Sequence, residues 1–285
     1  MKIIFWSNVH GQAGTTSNLL AIAMMNDILY SNRSILLQTQ FRLNQLEIPL
    51  LNQEEREYIK QYDIGLDTLI KGIRAGINTR EMLKNCCISL TKNCTDFLPG
   101  TNYRSREVFE GEMRKAYHDI LELAEECYDY VFVDSNAGTE CFTKQVWQEA
   151  DLLIVSLSQN KRVLDDLFAN HKFDLEKTLF VIGNYDPKSQ YNLHNLTRMY
   201  KPLRKDNTMI VPYNTEFRDA ASESDIVQFM YRNMLCEKGE ENYTFINEVR
   251  NATRCIMEAA GRKAEKLEQE RMFKPAIGGV SISAY

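Results

Sequence analysis

Residues 9 to 18 read Val-His-Gly-Gln-Ala-Gly-Thr-Thr-Ser-Asn, a small-residue loop with glycines at 11 and 14. A loop of this kind turns successive backbone N–H groups toward phosphate oxygens where it opens a helix, whose N-terminus carries unpaired N–H groups. Gly11 and Gly14 permit the backbone geometry and the close approach, and the Thr16 hydroxyl is placed to ligate Mg²⁺. The G-K-[ST] motif of a phosphate-binding loop requires lysine at position 15, and this chain has Thr15. Taken alone, the loop is a weak phosphate signal. The remaining chemistry-bearing residues form no pattern. Of seven cysteines, Cys86 and Cys87 are adjacent, and Cys94, Cys127, Cys141, Cys236 and Cys255 are scattered. An odd count without C-x-x-C spacing reads as reduced thiols, neither a disulfide framework nor a zinc site. The four histidines (His10, His118, His171, His194) share no metal-like spacing.

The elements that must position this loop follow from hydrophobic periodicity. Lys2–Trp6 is a short apolar run and Asn18–Tyr30 carries apolar residues at helical spacing, so the loop joins a strand to a helix. Ile35–Leu37 then closes a β-α-β unit with parallel strands. Asp67–Arg74 reads as a short amphipathic helix, and Asn78 and Glu81 have capping-box spacing for the next one. A strand ends at Phe97–Gly100, and Glu107–Cys127 reads as a long helix. Four further apolar runs follow: Tyr130–Asp134, Leu152–Leu157, Thr178–Ile182 and Met209–Val211. Continuous apolar strands alternating with amphipathic helices predict an α/β fold, a mostly parallel β-sheet covered by helices on both faces. Its ligands belong at the carboxyl ends of the strands.

From Cys236 the texture changes. Asn242–Phe273 is a long charged helical stretch with a broken apolar stripe through Ile246, Val249, Ile256 and Leu267. Lys274–Tyr285 reads as a tail or an added strand. The expected division is residues 1–235 and 236–285, with the stripe covered by its own domain more readily than by a partner. The 285 residues are 44% hydrophobic and 26% charged, which excludes wholesale disorder. A net charge of −5 argues against nucleic acid as a partner. With no apolar run of about 18 residues and no secretory layout after Met1–Trp6, the expectation is a soluble cytoplasmic chain.

Several segments, in order, resemble the ParA/MinD family of deviant Walker A ATPases, whose loop reads roughly K-G-G-x-G-K-T-T. His10 stands for the signature lysine, Gly11 matches, Gln12 replaces the second glycine, and Ala13 fills the variable place. Gly14 matches, Thr15 replaces the P-loop lysine, and Thr16 and Ser17 cover the two hydroxyls. Tyr128-Asp-Tyr-Val-Phe-Val-Asp-Ser-Asn-Ala-Gly138 is similar to the Walker B segment, with Asp134 at the carboxylate that holds Mg²⁺ through water and Asn136 where proline is usual. Ala150-Asp151 before Leu152–Leu157 fits the family's next strand. Phe180–Asp186 resembles the strand whose asparagine reads adenine, a role the resemblance gives to Asn184. Val211-Pro212-Tyr213, followed by Glu216–Ser224, resembles the segment lining the base. The altered lysine and Asn184–Ser189 look most like the TadZ/CpaE branch, which helps place pili at the cell envelope.

The resemblance implies ATP and Mg²⁺ as cofactors, with Gly11, Gln12, Ala13, Gly14, Thr15, Thr16, Ser17, Asn184 and Pro212 at the nucleotide and Thr16 and Asp134 at the metal. It also implies a homodimer and partners in envelope, secretion or pilus machinery, with peripheral attachment to the inner membrane through such a partner. The departures bear on turnover. In Ser34-Ile-Leu-Leu-Gln-Thr-Gln-Phe-Arg42, Gln38 and Gln40 replace two carboxylates, Gln40 standing at the hydrolytic aspartate. An amide orients water but takes no proton. Histidine is a poor stand-in for lysine, because an imidazole is largely uncharged at neutral pH. Two lost charge-assisted bonds, each about 1.5–3 kcal/mol, weaken nucleotide binding by roughly 10²- to 10⁴-fold. The expectation is an ATP-binding protein with slow or absent hydrolysis. A pseudo-ATPase scaffold that binds no nucleotide and a ligase-like or reductase-like enzyme of the superfamily are the alternatives.

Overall fold

The computed structural model describes residues 1–41, 45–92, 95–103, 105–135, 137–138 and 141–273. The readings placed on Arg42, Cys94, Asn136, the Leu267 side chain and the tail from Lys274 lie outside the described residues. The strands are β1 (Lys2–Trp6), β2 (Ser34–Gln38), β3 (Ile88–Ser89), β4 (Thr95–Phe97), β5 (Tyr130–Asp134), β6 (Leu152–Leu157), β7 (Thr178–Tyr185) and β8 (Thr208–Pro212). The first six helices are α1 (Thr15–Tyr30), α2 (Glu47–Leu50), α3 (Gln53–Gln61), α4 (Leu66–Arg74), α5 (Arg80–Asn85) and α6 (Arg106–Cys127). They are followed by α7 (Cys141–Gln148), α8 (Lys161–Asn170), α9 (Leu193–Met199), α10 (Thr215–Ser222), α11 (Ile226–Asn233) and α12 (Tyr243–Phe273).

One sheet runs through the molecule in the order β3-β4-β2-β5-β1-β6-β7-β8. All its pairings are parallel except β3 with β4. The unit β1-α1-β2 is parallel, as its sequence predicts, but β5 lies between its two strands. Hydrophobic periodicity fixes strand existence and leaves neighbour choice to the whole sheet. The chain moves outward from β1 on one side, returns at β5, and continues on the other side through β6. That reversal opens a crevice at the carboxyl ends of β1 and β5.

Successive strand residues point to opposite faces, and each face has its own core. Ile4, Trp6, Val131 and Val133 pack with α6 residues such as Phe109, Met113 and Tyr117. Ile3, Phe5 and Phe132 pack with α1, α10, α11 and α12. Helix α1 is apolar almost all round, with Asn18 through Asp27 buried, because it is sandwiched between the sheet, α11 and α12. The stripe of α12 through Ile246, Val249 and Ile256 is fully buried in this second core, against α1 and β8. Among the described residues no helix is long and apolar enough to cross a membrane.

One capping expectation is corrected. Thr79, not Asn78, is the N-cap of α5, its hydroxyl accepting from Met82 N. Glu81 thus falls one place short of a box. The reciprocal box belongs to α3, where Asn52 accepts from Glu55 N at 3.0 Å and Asn52 N donates to the Glu55 carboxylate at 2.8 Å.

Candidate functional site

The crevice at the strand ends holds a cleft of about 550 Å³, within the range of small-molecule sites. Its floor is the loop from β1 to α1. Gly14 is the N-cap of α1 with φ 64°, a left-handed conformation that suits glycine, and no side chain caps the helix. The first turn carries no acidic residue, so its unpaired N–H groups face the cleft without a competing anion. Gly11, Gly14, Thr15, Thr16, Ser17 and His10 line the cleft. Gln12 is exposed outside it, and Ala13 is buried beneath the loop.

The loop is held from below. Buried Asn18 donates to the Ala13 carbonyl at 3.2 Å and to Ser156 Oγ at 3.1 Å. The Ser7 hydroxyl donates to Val9 O at 2.7 Å. Strand β7 passes so close that a Cβ on Gly183 would stand 2.3 Å from the Ala13 carbonyl oxygen. The β7–β8 register shifts between Ile182 and Tyr185, and Asn184 adopts φ 48° there. This irregularity brings the Asn184 side chain beside Gly14 at the cleft. Pro212, Tyr213, Phe217, Ala221 and Phe245 form a less polar wall.

Asp134 is fully buried at the end of β5, behind Thr16. The Thr16 hydroxyl donates to Asp134 Oδ2 at 2.7 Å. Among the described residues Asp134 Oδ1 has no hydrogen-bond partner. Desolvation pushes this carboxyl up to about 7, against smaller opposing effects of Thr16 and Gln40. A buried carboxylate with an orphaned oxygen, beside a hydroxyl at a helix N-terminus, is a set that a hydrated divalent cation would complete. The residues present therefore fit Mg²⁺. Among the described residues no group of three or more His, Cys, Asp or Glu could hold a metal, so such an ion would rely on Thr16, Asp134 and ligand oxygens.

At the end of β2 the two glutamines part. Gln38 is buried outside the cleft and donates to the Glu47 carboxylate at 3.2 and 3.3 Å. Glu47 also accepts from Gly100 N at 2.6 Å, and burial raises its carboxyl above the usual range. Gln40 lines the cleft and donates weakly to Ser135 O at 3.3 Å. Among the described lining residues, Arg218 is the one permanent cation. Sequence reasoning missed Gln45 and Phe245 at this cleft. No local pattern marks them, since Phe245 comes from α12 and Gln45 from just before α2.

No family model matches the chain, and no curated protein sequence does. Solved structures do. The ParA family ATPase of Chlorobium tepidum TLS superposes with a TM-score of 0.67 at 11% identity, covering 88% of this chain and 98% of that one. The septum site-determining protein MinD of Pyrococcus horikoshii, solved with Mg-ADP, gives 0.63 at 14% identity over 92% of this chain and 99% of that one. A putative plasmid partition protein of Borrelia burgdorferi, solved with AMPPNP, gives 0.59 at 14% identity over 90% and 98%. Over most of its length, this chain has the ParA/MinD P-loop NTPase fold.

Proposed function

We propose that this chain binds ATP with Mg²⁺ as a ParA/MinD-type protein and turns it over slowly or not at all. The observation that carries the reading is the pairing of an uncapped, acid-free α1 N-terminus with the Thr16–Asp134 bond and its orphaned carboxylate oxygen. Backbone N–H groups of Gly14–Ser17 would hold phosphate oxygens, and the wall of Pro212, Phe217 and Phe245 would enclose the base, with Asn184 at the loop's edge. Mg²⁺, when bound, supplies positive charge to the phosphates; Thr16 and Asp134 hold it, Asp134 through water. Two of the proteins that share this fold were solved with AMPPNP and with Mg-ADP, which supports the choice of ligand.

Slow turnover follows from charge. Phosphoryl transfer is accelerated by fixed cations and by an oriented nucleophile. Thr15 offers a hydroxyl where a lysine would stabilise developing charge, His10 replaces the second lysine, and Gln40 cannot take a proton. The proposed cellular role is spatial organisation or assembly of a pilus, secretion or conjugation machine, nearest the TadZ/CpaE branch, acting as a homodimer at the envelope through a partner. The Asn184–Ser189 phrase and the altered lysine support that branch. Calorimetry with ATP and Mg²⁺ tests the binding reading: saturable Mg²⁺-dependent heat supports it. No binding at millimolar ligand, in folded protein, would instead leave an interaction scaffold.

A further inference from the structure

Gln45 stands just before α2 and reaches into the cleft from the β2 side. Its Nε2 donates to Thr16 Oγ1 at 2.9 Å. Thr16 has a single hydroxyl proton, which goes to Asp134 Oδ2 at 2.7 Å. The hydroxyl can therefore only accept from Gln45, and this fixes which end of the amide faces it. The Gln45 oxygen, Oε1, must then point elsewhere. It is buried and, among the described residues, has no hydrogen-bond partner; the same is true of Asp134 Oδ1. Two side chains that meet on one hydroxyl thus each leave an acceptor unpaired, and a buried unpaired acceptor carries its full desolvation penalty. Acceptors without donors call for water or a cation. An sp³ hydroxyl oxygen that donates once and accepts once keeps a second lone pair for a metal.

We propose that Gln45 is a positioning residue of the cation site. Its Nε2 fixes the Thr16 rotamer, and its Oε1 accepts a hydrogen bond from a water on the divalent ion. The inference rests on the Mg²⁺-nucleotide reading above and adds to it a residue outside the P-loop and the β5 carboxylate. It also ties the segment entering α2 to the P-loop, so that occupancy of the cation site is felt beside Gln38 and Glu47.

The test uses Mn²⁺, a paramagnetic stand-in with the same preference for oxygen ligands, measured by electron paramagnetic resonance on the full chain with AMPPNP. Outer-shell partners of metal ligands are typically worth 10- to 100-fold in affinity. Gln45→Ala should weaken Mn²⁺ binding about 10-fold. Gln45→Glu keeps acceptor oxygens but loses the donor to Thr16, and should lose less Mn²⁺ affinity than Gln45→Ala. Unchanged Mn²⁺ affinity in Gln45→Ala, or equal loss in Gln45→Ala and Gln45→Glu, would overturn the inference alone. Absence of Mn²⁺ binding to the unmodified chain would overturn it together with the reading on which it rests.

Discussion

The carboxyl ends of two strands on either side of β5 face the same cleft and differ in chemistry. After β1, the loop keeps its left-handed Gly14, its acid-free helix start and the Thr16–Asp134 bond. After β2 stand two amides and no carboxylate: Gln38 is turned to Glu47, and Gln40 rests on Ser135 O. The lesson is a separation of tasks. Holding a phosphate relies on backbone donors and a helix end, which sequence drift leaves intact as long as the turn persists. Accelerating its transfer relies on individual charges, which single substitutions remove.

The largest expected effect tests the β1 side. Asp134→Asn should reduce Mg²⁺-nucleotide affinity on the order of 100-fold, read by calorimetry, since the ion loses its buried anion. The same variant should stabilise the ligand-free fold. The Asp134 carboxyl is raised from 3.8 to about 7, so relative to the unfolded chain its burial is harmless below pH 4 and costs progressively more between about pH 4 and 7, levelling off above that. The gain should be on the order of 4 kcal/mol at pH 8 and vanish near pH 4, measured by denaturant unfolding. Because a cation displaces the proton, Mg²⁺-nucleotide affinity in the unmodified chain should rise between about pH 6 and 8. A pH-independent affinity would break this account of Asp134.

The next effect sharpens the charge argument. Thr15→Lys should tighten nucleotide binding by roughly 10- to 100-fold, the worth of one charge-assisted hydrogen bond. A smaller effect tests the backbone argument: Gly14→Ala places a Cβ at φ 64°, 3.2 Å from Asn184 Nδ2. It should cost about 1–2 kcal/mol of stability and weaken nucleotide binding, with Mn²⁺ binding lowered alongside. The smallest effect concerns the β2 side. Gln40→Asp alone should raise ATP turnover less than about tenfold, because the fixed cations are still missing. Rapid turnover in that variant would assign the deficit to one residue and break the comparison.

Much of this was legible in the sequence. Continuous apolar runs marked β5 and β6 to the residue, because strands buried on both faces admit little else. Glycine at 11 and 14 and hydroxyls at 16 and 17 located the loop, since turn geometry and helix starts write themselves into residue type. Strand order was not legible: nothing local says that β5 inserts between β1 and β2. The same holds for Gln45 and Phe245, which reach the cleft through tertiary contacts and carry no periodic signal. The amide of Gln38 reads in sequence only as the replacement of a carboxylate, yet in the fold it is the neutral partner of buried Glu47, a pairing that spacing cannot reveal.

The central claim is that the backbone half of the cleft still binds although the charged half is depleted. Isothermal calorimetry of ATP into the folded chain at pH 8, with Mg²⁺ and then with EDTA, tests it most directly. The account predicts saturable binding in Mg²⁺ that is strongly weakened in EDTA, with negligible phosphate released over the titration. Absence of heat at millimolar ATP and Mg²⁺, while circular dichroism reports the native helix content, would contradict it.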